Sequence, residues 1–357
     1  MKEEIGKGMM GDEVVKAKGK EKVGEIGIKV ERSRVKGVMV GLMVMVMMVG
    51  MIDGKFRERV FRCFCKFWGY GKWDIGDKKA DTKKSEIGKY FSDIEKTMIS
   101  VKSKLSTVVA ENGDYPKVKE VVEQFVTGML DKIAKGAKEA SQGSIGTGSE
   151  LIGSATKNSD AVVPQAELIN SLVKGIKTIV GVVLKDGEGN PEATKTGENE
   201  NKEIGKLFGK ESDATDSVSS AASASIGGIS GIDILQAIAK SDMTSNQSKI
   251  ETAKSASDIA AAAKEDTKTL NEAKKDAIIV AGIALRAMAK DGKFAAKNDD
   301  KALFAINGAA ASAANKTLSA LIMAIRNSVD SGLKKINEIV ATVKQEDKSS
   351  EATASVQ

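Results

Sequence analysis

The chain contains no histidine. That removes the usual general base and the commonest neutral metal ligand, and with them Ser-His and Cys-His catalysis. Three prolines and 4% aromatic residues leave little material for a sandwich or barrel. The abundance of Ala, Lys, Glu, Ile and Val favours helices instead. The two cysteines, Cys63 and Cys65, form a C-x-C with no second ligand pair, which argues against a zinc or redox site. At 41% hydrophobic, the 357 residues suffice for one large helical domain or about two average ones.

The composition changes near Asp77. Up to that point there is one Ala (Ala17), one Ser (Ser33), one Leu (Leu42) and no Thr, Asn, Gln or Pro, while nine of the fourteen Met and both Trp occur there. This first segment carries 16 basic and 11 acidic residues; the remainder carries 39 and 38. The overall charge of +6 therefore belongs to the segment 1–77, and the larger part is nearly neutral. A nucleic-acid partner is not expected, because phosphate binding needs a clustered positive face.

Within 1–77, Val38–Ile52 is an uncharged apolar run preceded by Arg32, Arg34 and Lys36. It falls short of the ~20 residues a helix needs to span a bilayer but suits a signal h-region. About 37 mostly polar residues precede it, and no small residue and cysteine follow closely, so a signal-peptide reading fits poorly. One reading is an interfacial or buried hydrophobic helix. The other, which the sequence favours, follows from the guanine- and purine-rich codons shared by Gly, Val, Met, Lys, Glu and Arg: residues 1–77 are expected to be out of frame or disordered.

From Ser85 onward apolar residues step by three and four. Ile87, Phe91, Ile94, Met98, Val101, Leu105 and Val108 predict one helix ending at Asn112-Gly113, and Pro116 opens a second that closes near Gly136. A third starts at Pro164, a shorter fourth runs over Ile229–Ile238, and a fifth carries Ile278, Gly282, Leu285 and Met288 and stops at Asp291-Gly292. The last begins near Lys301 and runs to about Gln345, bent or interrupted at Ser331-Gly332, before a disordered tail over 346–357. The fold class expected for 78–345 is thus all-α, an elongated antiparallel helical bundle. The stretches near 141–163, 185–202 and 241–257 read as long polar loops, too polar to pack.

Catalytic signatures are weak. Gly205-Lys206-Leu207-Phe208-Gly209-Lys210-Glu211 has three residues where a P-loop has four and lacks the magnesium-holding hydroxyl, and Gly146-Thr147-Gly148 opens no dinucleotide fingerprint. Asp299-Asp300 reads as a solvated helix face. Arg286, alone among Ile, Ala, Leu and Met, is expected at the bundle edge, paired to a carboxylate. Neither an enzyme nor a cofactor is expected.

The stretch AKKDAIIVAGIALRAMAKDGKFAAKND, residues 273–299, closely resembles the invariable helical region of the variable large surface lipoproteins of Borrelia, the Vlp/Vls-type group. DTKKSEIGKYF (81–91), EIGKLFGK (203–210), GGISGIDILQAIAK (227–240) and DSGLKKI (330–336) fall in the same order. The resemblance covers residues 78–357. It implies an outer-membrane, surface-exposed lipoprotein held by a lipid anchor, with one variant expressed at a time, whose function is evasion of the host immune response by antigenic variation. Host antibodies are the partners implied. Ile278, Ile279, Leu285 and Met288 are expected to face the core, with Lys290, Asp291 and Lys293 at the helix end and Arg286 and Phe294 completing the constant segment. The family's lipobox is not recognisable here, so no lipidated residue can be assigned. A surface adhesin binding a host protein or glycan is the alternative; Ser- and Gly-rich loops with few aromatics suit evasion better. A weak homodimer could bury the last apolar stripe.

Overall fold

The stripes predicted from the sequence fold as helices because each one buries. A computed structural model describes residues 79–111, 115–145, 149–245, 248–263 and 269–354, all within the unit Glu58–Gln357. The expectations placed on 1–77, including Val38–Ile52 and the two cysteines, lie outside the described residues. Helix α1, Lys84–Glu111, sinks Ile87, Phe91, Ile94, Met98, Val101 and Leu105 into the core. Pro116 stands at the first position of α2, Pro116–Phe125, where its missing N–H costs nothing. A π-helical turn, Val126–Leu130, carries the chain directly into α3, Asp131–Ser144. The second helical stretch is therefore one turn or more longer than expected, reaching past Gly136 to Ser144.

Helix α4, Ala166–Val183, lies along α3. Gly136 and Gly175 meet at that crossing: a Cβ added to Gly175 would collide with the Gly136 carbonyl and the Ala140 amide. Bare glycine backbone is what lets the two helices touch. The short α5, Glu198–Glu203, continues as a 3₁₀ turn, Ile204–Phe208. Helix α6, Asp216–Gly228, was not legible in the sequence; α7, Gly231–Lys240, follows it at 100°. Ser230 caps α7, its Oγ accepting from the Asp233 N–H while the Asp233 carboxylate accepts from the Ser230 N–H. A single turn of helix, α8, Ala256–Ala260, precedes α9, Asp276–Met288.

The last helix, α10, spans Asp300–Ala354 without a break at Ser331-Gly332. Gly332 instead gives room to the Phe125 ring of α2, which occupies the place of a Cβ. The helix also continues through residues 346–354, which the sequence reading assigned to a disordered tail. Among the described residues there is no strand, only isolated bridges, and the architecture is all-α.

Helix α9 sits at the centre. It packs against α8 and α10, and also touches α1, α4, α6 and α7. Apart from Ile278, which is half-buried, every residue from Asp276 to Met288 is buried. Its run of Ala277, Ala281, Ala284 and Ala287 with Gly282 makes it narrow enough to be surrounded: an added Cβ on Gly282 would strike Ile259 of α8.

Candidate functional site

The segment 273–299 is the candidate site, and its chemistry is that of a lock rather than a cleft. Ile279, Leu285 and Met288 are fully buried and Phe294 nearly so. Phe294 meets Phe208 edge to face, with ring centroids 5.6 Å apart. Phe208 belongs to the sequence GKLFGK, which forms the buried 3₁₀ turn after α5 and not a phosphate cradle.

Arg286 departs from expectation. It lies at the core, fully buried, with no carboxylate partner. Its Nε donates to the Ala260 carbonyl at 2.9 Å, its Nη2 donates to the Ala262 carbonyl, and the guanidinium carbon stands 4.7 Å above the centre of the Phe208 ring. Burial alone pulls its pKa down to about 9. The acceptors arise because α8 is only one turn long: the Ala260 carbonyl that closes it and the Ala262 carbonyl two residues on have no helical partner and face Arg286. A cation with a planar fork of donors fits that gap, and its remaining charge is spread over an aromatic face.

Both ends of α9 are held by buried charges. At its start the Asp276 carboxylate accepts from the Lys195 N–H at 2.5 Å, the Thr196 N–H at 2.9 Å and the Thr196 hydroxyl at 2.7 Å. Burial works to raise its pKa, but those hydrogen bonds outweigh it and hold the carboxyl below its ordinary value. At the other end Lys84, from the first turn of α1, is 2% exposed. Its ammonium donates to the carbonyls of Arg286 at 3.3 Å, Ala289 at 2.7 Å and Gly292 at 2.5 Å. Burial brings its pKa down to about 7. Negative charge at the N-terminus and positive charge at the C-terminus both complement the helix dipole.

Lys290, Asp291 and Lys293 lie just past the end of α9, and all three are half-buried. The Lys290 N–H donates to the Gly143 carbonyl at 2.9 Å, and the Asp291 N–H donates to Glu150 Oε2 at 2.9 Å. Asp291 adopts a left-handed conformation, φ 65°, that turns the chain sharply. Burial and the neighbouring Glu150 carboxylate raise the Asp291 carboxyl. Burial also works to raise Glu150, but its hydrogen bonds to Asp291 and the charge of Lys84 leave it below its ordinary value. Lys293 and Ala296 then pair by backbone hydrogen bonds with Val162 and Ser159.

These pairings revise the expected loops. Ile152, Ala155 and Ala161 of the stretch 141–163 are buried, as are Ile250, Ala253 and Ala256 of 241–257, and the two stretches reach the segment 273–299 through Ser159 and Val162 and through Ala256 beside Gly282. The stretch 185–202 comes nearest to expectation. Lys185–Asn190 is exposed, and the stretch reaches the core through the Thr194–Thr196 clamp on Asp276. Asp276 and Lys84 were missed as site residues. For Asp276 the signal was present as an acidic residue opening an apolar helix; for Lys84, 202 residues from Arg286, there was none. Among the described residues no group of three or more His, Cys, Asp or Glu side chains is placed to hold a metal ion.

Comparison with known proteins follows this geometry. The chain is 56% identical over 297 residues to variable large protein 4 of Borrelia hermsii, covering 77% of this chain and 80% of that one. It is 58% identical over 284 residues to variable large protein 17 of the same organism, covering 77% and 79%. Its fold matches the crystal structure of the Lyme disease variable surface antigen VlsE of Borrelia burgdorferi with a TM-score of 0.68 and 32% identity, over 80% of this chain and 96% of that one. A family model described as Borrelia lipoprotein matches residues 78–340, and the chain belongs to that family.

Proposed function

We propose that the protein is a variable surface antigen of the outer membrane, held by a lipid anchor, that evades host antibody by exchanging its loop sequences while one variant is expressed at a time. The observation that carries this reading is the burial of α9: the segment shared with the family is enclosed, and 185–190 and its neighbours supply exposed polar surface. Exposed loops contribute little to packing, so their sequences can change at small cost in stability. The named relatives, variable large proteins and a variable surface antigen, support it.

The test uses two antibody pools, one raised against the folded protein and one against a peptide of residues 273–299. The pool against folded protein should lose most of its binding when residues 185–192 are replaced by a relative's sequence. The peptide pool should bind denatured protein strongly and folded protein weakly. Equal binding of the peptide pool to both forms, or indifference of the first pool to loop exchange, would sink the proposal.

A further inference from the structure

The buried ammonium of Lys84 belongs to a stretch that otherwise barely enters the fold. Lys79, Asp81 and Lys83 are exposed, Ala80 and Thr82 are half-buried, and the first buried apolar side chain is Ile87, one turn into α1. Backbone pairing holds the stretch in place. The Lys84 N–H donates to the Glu150 carbonyl at 2.8 Å, the Ile152 N–H to the Thr82 carbonyl at 2.8 Å and the Gly153 N–H to the Ala80 carbonyl at 2.9 Å. Ala80 lies so close to Gly153 that a Cβ added there would strike its side chain. Three backbone hydrogen bonds and one buried amine thus hold residues 79–84 down, with no buried apolar side chain to resist release.

The surroundings of the amine make that hold sensitive to protons. Lys84 reaches the last turn of α9 and the turn beyond it, where it meets the carbonyls of Arg286, Ala289 and Gly292. The charged groups facing it are Glu150 from the paired stretch, Arg286 from α9, and Asp291 and Lys293 from the turn, with Lys290 beside the two carboxylates. Helix α3 closes on the same turn through Gly143 and Ser144, which carry no charge. Burial is the largest influence on the ammonium and disfavours its charge, bringing its pKa to about 7. Once the stretch lifts away, water restores the ordinary affinity for a proton.

We infer that residues 79–84 are a clasp on the far end of α9 that opens locally, ahead of the rest of the fold, and takes up a proton on Lys84 as it does so. Between about pH 7 and pH 10.5 the open form binds the extra proton, so the clasp tightens as pH rises through that window. Asp291, whose carboxyl is raised, acts with the opposite sign: its proton favours the closed form and is lost as pH rises. Glu150, held low, titrates on the acid side. A strengthening between pH 7 and pH 9 is therefore the mark of Lys84. The inference goes beyond the antigen reading and does not depend on it.

Native-state hydrogen exchange of the full chain, resolved amide by amide, is the test. The reporters are the N–H groups of Lys84, Ile152 and Gly153, and the reference is the middle of α4, at Ile176 and Ile179. At pH 7 the reporters should be at least about tenfold less protected than the reference. Low urea should leave their protection unchanged, because local opening exposes little surface, while it lowers that of α4. After correction for intrinsic rate, reporter protection should rise at least about tenfold from pH 7 to pH 9, one proton setting a ceiling of about tenfold per pH unit. Lys84→Met should abolish that rise. Should that variant not fold, the readings on the unaltered chain still decide. Reporters as protected and as urea-sensitive as α4 would overturn local opening. Reporter protection that does not change with pH in the unaltered chain, or a rise that survives Lys84→Met, would overturn the role of Lys84.

Discussion

Helix α9 and the stretch 185–190 sit about as far apart in physical character as two parts of one fold can. The helix is a run of small and branched apolar residues, enclosed by neighbouring helices, with Asp276 clamped at one end and its last carbonyls gathered by Lys84 at the other. The stretch is exposed from Lys185 to Asn190 and turns at Gly187 and Gly189, where positive φ suits glycine. What separates them is the number of partners each residue must satisfy. A change in α9 disturbs several elements together, whereas a change at 185 or 186 disturbs water.

The widest test of this contrast is a cavity in α9. Leu285→Ala should cost about 3 kcal/mol, read as a lower urea midpoint at unchanged slope, because the enclosed site cannot collapse. Arg286→Met, which keeps volume and apolar contact, should cost about 2 kcal/mol, since it strands the buried carbonyls of Ala260 and Ala262. A smaller loss would mean that the desolvated charge had nearly cancelled its own hydrogen bonds.

Lys84 gives a pH signature. Its folded pKa of about 7 lies below the ordinary 10.5, so between those values the unfolded chain binds more protons and stability must rise with pH. Denaturation midpoints should climb from pH 7 to pH 9 by at most about 1.4 kcal/mol per unit, and Lys84→Met should flatten that rise. Ser230→Ala, which removes the cap of α7, should cost about 1 kcal/mol. The smallest effect is expected in the loop. Replacing Lys185 and Asp186 by serine should move stability by no more than about 0.5 kcal/mol. A loss comparable to that of Leu285→Ala would erase the contrast.

The sequence made the long helices legible because their apolar residues recur with helical spacing and each stripe has one side to bury. Helix α6 escaped notice for the converse reason: DSVSSAASASIGG is small and weakly amphipathic, and it is helical because α9 and α10 cover it. Arg286 was placed wrongly because a lone charge in an apolar helix suggests a carboxylate partner. The partners are backbone carbonyls at and just past the end of a one-turn helix, invisible to side-chain reading. The loops of 141–163 and 241–257 looked unpackable because their few apolar residues, Ile152 and Ile250 among them, show no period. Ile152 and Ile250 are nevertheless buried.

The enclosure of α9 separates what the fold holds fast from what it shows. In the folded protein residues 185–190 meet solvent, whereas α9, Ile278 apart, reaches it only when the fold opens. A reagent directed at the enclosed stretch would therefore count opened molecules and pass over whole ones.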